Sequence, residues 1–178
     1  MSEYRVTSRY AKSLITLAQE QEVLEEVYAD IRSFDDICQA NRDFVLMLKN
    51  PVIRKEKKDQ VIKKLFSGRV SKVTYSFFEI MLKKNREKFL PETALEFKNQ
   101  YNVLNKIGMA KVTTVLPLDQ TLRDEFKRLV KEFTACKEVE LEEITDEALV
   151  GGFVLTMGDR QMDESLKGKL KELELKFS

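Results

Sequence analysis

Apolar residues recur at three- and four-residue steps over the first hundred positions, and the elements they predict are helices. Val6, Tyr10, Leu14, Leu17 and Ala18 make the first stripe, which Ala11 and Ile15 widen, with Thr7 or Ser8 as its cap. Leu24, Val27, Ile31, Phe34 and Cys38 follow in a 3-4-3-4 seam suited to packing against a neighbouring helix. A short third helix, Asp43–Lys49, stops before Asn50-Pro51, because the residue before proline resists the helical region. Ile53–Phe66 is a fourth, closed by Ser67-Gly68. Val73–Lys84 is a fifth, with Phe77, Ile80 and Met81 in step and Phe78 broadening the arc. Pro91 suits the first turn of a sixth, lined by Leu95, Tyr101, Leu104 and Ile107 and ended by Gly108.

The period then changes. Lys111–Leu116 is rich in Val and Thr and reads as a strand closed by Pro117. Asp119 caps a helix over Gln120–Ala135, with Leu122, Phe126, Leu129, Val130 and Phe133 on one side. Val139–Ile144 alternates apolar and acidic residues, as a half-exposed strand does. Leu149–Met157 reads as a buried strand entered through Gly151-Gly152. Gly158-Asp159 is a hairpin turn, and Arg160–Met162 is the returning strand. Ser165 caps a last helix carrying Leu166, Leu170, Leu173 and Phe177. The expected fold is mainly α with a small α+β part. An N-terminal six-helix bundle, residues 1–107, precedes a small C-terminal α/β domain, residues 108–178. The second is near the size at which a lone core leaves little margin, so it is expected to be the looser of the two.

Composition narrows the chemistry. The 178 residues contain no histidine, which removes serine-histidine triads, cysteine-histidine dyads and histidine metal sites. Two cysteines, Cys38 and Cys136, are too few for a tetrathiolate zinc or iron–sulfur site and are expected to be free thiols. The net charge of +1 excludes a uniformly basic nucleic-acid binder, but it is unevenly placed. Residues 1–50 hold 6 basic and 9 acidic side chains, residues 51–111 hold 15 and 6, and residues 112–178 hold 10 and 15. An acidic start and an acidic end therefore flank a basic middle. No apolar run is long enough to span a bilayer, and no signal segment or transit peptide is expected at the start.

No set of residues announces catalysis. The glycines of Gly151–Gly158 lead into bulky apolar residues, not into the lysine and hydroxyl that a phosphate loop requires, so close backbone approach beside a buried strand is their expected role. Asp159 is expected to shape a turn and Asp163 to brace the last helix. No cofactor, metal or small-molecule substrate is expected. The basic run Arg54–Lys64 reads first as a solvated helix face. A basic-surface module for nucleic acid or protein is the alternative, although Glu56 and Asp59 interrupt the run and no aromatic stacking motif accompanies it. Tyr10, Ala11 and Leu14 on the first helix, with Phe77, Phe78 and Met81 on the fifth, are the candidate partner contacts. Most of such a set serves the core, yet both helices carry more apolar arc than one packed face requires, and a groove between them would accept an amphipathic helix.

Three stretches carry a family resemblance. Arg9-Tyr10-Ala11-Lys12-Ser13-Leu14 with Leu17-Ala18 resembles the opening helix of the delta subunit of F-type ATP synthases, whose mitochondrial form is the oligomycin-sensitivity-conferring protein. The break at Asn50-Pro51-Val52-Ile53 is similar too. The most specific match is Leu149–Leu155 with Gly151 and Gly152, followed by Gly158, Asp159, Asp163, Ser165 and Leu170. Glu164 stands where the family often has a small residue, and Lys167 and Lys169 stand where it often has arginine. The resemblance implies a non-catalytic stator subunit. Its first domain would grip the N-terminal helix of an alpha subunit through helices one and five. Its second would bind the peripheral stalk's b subunits, with no nucleic acid among the partners. It also implies a peripheral position on the cytoplasmic side of a bacterial inner membrane.

Overall fold

The computed structural model describes residues 3–134 and 136–177, with side chains described through Lys171. The chain divides into two compact units, Met1–Tyr101 and Asn102–Ser178. It is mainly helical, with one small four-stranded mixed sheet in the second unit.

Six α-helices come first: α1 (Glu3–Glu20), α2 (Leu24–Ala40), α3 (Arg42–Lys49), α4 (Lys55–Phe66), α5 (Lys72–Lys83) and α6 (Leu90–Asn105), with a 3-10 turn at Glu87–Phe89 before the last. Phe34, at the centre of the α2 seam, lies 5.1 to 6.0 Å from the rings of Phe44, Phe66 and Phe78. Rings at such spacings, tilted or edge-on, add specific attraction to the area they bury. This cluster joins α2, α3, α4 and α5. Polar ties accompany it. The amide of Ser71, which caps α5, donates to Asp30 of α2 at 2.8 Å. Buried Asp35 accepts from Lys98 of α6 at 2.7 Å, and Gln100 of α6 donates to Ser8 of α1. Asn41 caps α3 by accepting from the Phe44 amide. Asn50 ends that helix before Pro51.

The first helix starts earlier than its expected cap. Thr7 is buried mid-helix, and its hydroxyl bonds back to the Tyr4 carbonyl at 2.9 Å. The centre of the buried stripe is accordingly Thr7, Ala11, Leu14, Ile15 and Ala18, and Leu17 falls to its margin. Gly108 does not end α6. Lys106, at φ 56°, turns the chain, and Gly108 already lies inside the first strand.

The second unit contains β1 (Ile107–Thr114), α7 (Gln120–Thr134), β2 (Glu138–Thr145), β3 (Phe153–Met157), β4 (Arg160–Asp163) and α8 (Leu166–Phe177). The sheet order is β2-β1-β3-β4. β1 and β2 are parallel, joined through α7, and the other two pairs are antiparallel. Register places Ala110 and Val112 of β1 beside Leu141 and Glu143 of β2. Those two β1 residues pack with Leu118, Phe126, Val130, Leu155 and Met157 in one cluster under α7. Asp119 caps α7, its carboxylate accepting from the Leu122 amide at 2.8 Å. The expected strand Leu149–Met157 is shortened by half. Glu147–Leu149 forms a 3-10 turn, and Val150 and Gly152 take positive φ, so extended pairing begins only at Phe153.

Candidate functional site

Five of the six candidate contact residues are core. Ala11, Leu14, Phe77, Phe78 and Met81 are all buried, and Phe78 is only 1% exposed, packed against Phe34 and Phe66. Tyr10 alone is half-buried. Its ring meets Phe77 edge-on at 6.3 Å, and Arg86 lies over it at 5.4 Å while donating to its hydroxyl. Tyr10 and Phe77 thus bring α1 and α5 side by side. The large apolar side chains that this pair of helices leaves to solvent are Tyr4, 67% exposed, Leu17, 40% exposed, and Ile80, 45% exposed.

Around Leu17, the outer face of α1 forms a shallow depression of about 370 Å³ with Arg9, Lys12, Ser13, Thr16 and Glu20. Ser13 and Thr16 turn their hydroxyls back to the carbonyls of Arg9 and Lys12, at 2.9 and 3.0 Å. Their hydrogen-bonding capacity is largely spent within the helix, so the strip along Leu17 is less polar than its residue types suggest. Sequence periodicity picked out the inner arc of these two helices, which is core. The outer residues were hidden because Ser and Thr count as polar in any binary pattern.

The C-terminal motif is a clasp. A Cβ on Gly151 would stand 2.7 Å from Leu166 Cδ1, and one on Gly152, at φ 78°, would stand 2.2 Å from the Glu164 carbonyl oxygen. That closeness lets the Leu166 amide donate to the Gly151 carbonyl at 3.0 Å and the Glu164 amide to the Phe153 carbonyl at 2.9 Å. Asp163 accepts from the Ser165 amide, and Ser165 caps α8 through the Gly168 amide at 3.0 Å. The Ser165 side chain and amide together hold the Asp163 carboxyl below its ordinary value. Gly158 and Asp159 make the two-residue turn between β3 and β4, with Gly158 at φ 57°. Gly151, Gly152, Asp163 and Ser165 fasten the start of β3 to the start of α8, while Gly158 and Asp159 close the hairpin at the other end of β3.

The basic run is only partly a solvated face. Lys58 is buried and donates to the Leu48 carbonyl and to Glu87. Lys55 donates to the Lys83 carbonyl at 3.2 Å. Arg54, Lys57, Lys63 and Lys64 remain exposed. On the second unit, Arg123 of α7 meets Glu143 of β2 through two hydrogen bonds, which raise the guanidinium's pKa and lower the carboxyl's. Burial, reinforced by Asp35 and Glu92, pushes the Cys38 thiol up to about 12. Cys38 is therefore a packing residue without thiolate character.

Among the described residues, no helix is long and apolar enough to cross a membrane. The chain is thus a mainly helical protein of two compact units, the second holding a small four-stranded mixed sheet. Residues 6–177 match the family model for the ATP synthase delta (OSCP) subunit. The chain is 39% identical to the ATP synthase subunit delta of Cytophaga hutchinsonii, over 100% of this chain and 97% of that one. It is 35% identical to that of Amoebophilus asiaticus, over 99% and 96%. Its fold resembles a chain of the mitochondrial ATP synthase hexamer of Toxoplasma gondii, with a TM-score of 0.74 at 19% identity over 96% of each chain. The chain belongs to the ATP synthase delta (OSCP) subunit family.

Proposed function

We propose that this chain is a non-catalytic stator subunit of a proton-translocating F-type ATP synthase. It links the catalytic head to the peripheral stalk so that rotation is coupled to ATP synthesis. The N-terminal unit, as a six-helix bundle, receives the N-terminal helix of an alpha subunit along α1 and α5. The C-terminal unit binds the stalk's b subunits. The protein sits peripherally on the cytoplasmic side of a bacterial plasma membrane, held there by the complex.

The observation that supports the head-binding role is the α1–α5 pair joined by Tyr10 and Phe77, with Leu17 on α1 and Ile80 on α5 each left partly exposed. An amphipathic helix laid on that pair needs only two or three apolar anchors, and Arg9 and Lys12 give it a polar border. Two separate contacts, one per unit, suit a tether under torque, because linked sites raise avidity without a new kind of contact. Affinity capture with the tagged full chain from detergent-solubilised membranes tests the reading. Recovery of both alpha and b subunits is expected, and recovery of neither overturns it.

A further inference from the structure

The geometry points to the flank of α7 as a docking groove for one amphipathic helix of a partner subunit, with basic residues on the side that faces α7. The inference rests on the stator reading and names the face that the stalk partner would use.

Leu122, Phe126, Leu129 and Phe133 follow a 4-3-4 spacing along α7, the spacing of a helix–helix seam. A helix serving only its own sheet would bury all four. Here Phe126 is buried, Leu129 is partly buried, and Leu122 and Phe133 are 43% and 49% exposed. The reason lies in the sheet. Four strands spaced at about 4.8 Å span about 19 Å, room for two helices of about 10 Å. On the face that holds the core, α7 lies against β1 and β2. Beside it, Phe153 of β3 and Met162 of β4 point to the same side and stay partly exposed. A groove of about 360 Å³ runs along α7, lined by Leu122, Phe126, Leu129 and Phe153, with Glu125, Arg128 and Glu132 on its rim. Phe153 meets Phe126 edge-on at 4.9 Å and forms the groove floor.

The charges select the occupant. Glu125 and Glu132 are seven residues apart, so both take the position that flanks a seam and sets partner choice in paired helices. Arg128 lines the same rim between them, so the rim carries two carboxylates and one guanidinium. Arg160 shares the Met162 side of β4 by strand alternation. The excess of carboxylates on the rim thus favours a helix with Lys or Arg along its α7 flank. The chain's own α8 repeats the same spacing at Leu166, Leu170, Leu173 and Phe177. Leu166 and Leu170 are exposed, so at those positions α8 is not seated in a groove. Leu173 and Phe177 lie outside the residues with described side chains.

The test uses the full chain and two synthetic helical peptides with leucines at 4-3-4 spacing, one with lysines along a single flank and one with glutamates there. The lysine peptide is expected to shift the NMR signals of Leu122, Leu129 and Phe133. Its affinity should fall about tenfold on Glu125→Lys with Glu132→Lys, while the glutamate peptide gains. Both glutamates are exposed, so an unchanged melting temperature separates a lost contact from a lost fold. Equal binding of the two peptides overturns the groove. So do contacts in the free chain from Leu122 or Phe133 to α8, which would make α8 the occupant. Capture of b subunits separates this proposal from the reading beneath it. If wild type captures b and the charge-reversed chain does so equally well, the α7 groove is overturned and the stator reading stands. If wild type captures no b subunit, the stalk reading fails, and peptide binding alone decides the groove.

Discussion

The Nζ of Lys58 lies 2.8 Å from Glu87 Oε1 and 2.9 Å from the Leu48 carbonyl oxygen, with the two side chains 3% and 12% exposed. One lysine therefore joins the end of α3, the body of α4 and the turn that leads into α6. Removing one member of a buried ion pair strands the other charge and costs about 3–5 kcal/mol. Lys58→Ala is expected to lower stability to chemical denaturation by that order. Replacing both members, Lys58→Met with Glu87→Met, should recover most of the loss. A double variant no better than Lys58→Ala would show that the carbonyl contact dominates.

Phe78 and the pair Leu17 and Ile80 separate fold from docking. Phe78→Asp would place a carboxylate among Phe34, Phe66 and Phe77, and even truncation of such a ring costs about 3–5 kcal/mol. That variant should fail to fold stably and so cannot report on binding. Leu17→Asp and Ile80→Asp change side chains that are 40% and 45% exposed, and their melting temperatures should fall far less than that of Phe78→Asp. Calorimetry with a peptide of the alpha subunit's N-terminal residues should show weaker binding for both. Unchanged affinity in both would move the docking site off the α1–α5 face.

How much of this was legible in the sequence depends on what each residue's partner was. Helices α1 to α8 follow from periodicity, and Asp119 and Ser165 were readable as caps because a cap is a local relation over three residues. The core role of Phe34 followed from its place in a narrow seam. The burial of Lys58 did not, since its partners lie ten and twenty-nine positions away and periodicity treats lysine as solvent-facing. Ala11 and Phe78 were read as surplus arc. One helix's pattern cannot show how many neighbours surround it, and several elements share this core. The glycine pair Gly151 and Gly152 was legible as close approach, but not the identity of what approaches, the backbone at Glu164.

Gly152→Ala tests that clasp. The added methyl would meet the Glu164 carbonyl oxygen, and φ 78° is itself unfavourable for alanine. Backbone cannot yield as a flexible side chain can. The start of β3 would separate from the start of α8, so NMR signals of residues 150–166 should shift while those of α1 to α5 stay in place. A variant with wild-type spectra and melting temperature would remove the clasp from the account.

Cys38 sets an alkaline limit. Its thiol is pushed from 9.0 to about 12 in the folded chain, first by burial. Between those values the unfolded chain releases the proton while the folded chain keeps it. The folded state then binds more protons, and stability falls as pH rises through this window. Cys38→Ala should flatten the fall, although it will lower stability at neutral pH by the lost packing. At pH 8, alkylation of Cys38 should proceed only through opening of the N-terminal unit, well after that of half-buried Cys136. Equal alkylation rates would contradict the burial argument.

The two units should also differ in how readily they open. The N-terminal unit encloses Leu14, Val27, Ile31, Phe34, Leu48, Phe78, Met81, Leu90 and Phe97 with almost no exposure. Among the described residues, the C-terminal core is a cluster of seven buried residues around Val112, Val130 and Leu155. The smaller cluster buries less apolar surface, and its α7 flank stays open to water until something covers it. Local opening free energy follows buried apolar contact, so amides of β1 to β4 should exchange faster than those of α1 to α5. Saturating the chain with a helix that fills the groove beside α7 should slow exchange in β3 and α7 selectively. Stronger protection in the sheet than in α1 to α5 of the free chain would show that the clasp at Gly152, with the Arg123–Glu143 pair, outweighs the difference in core size.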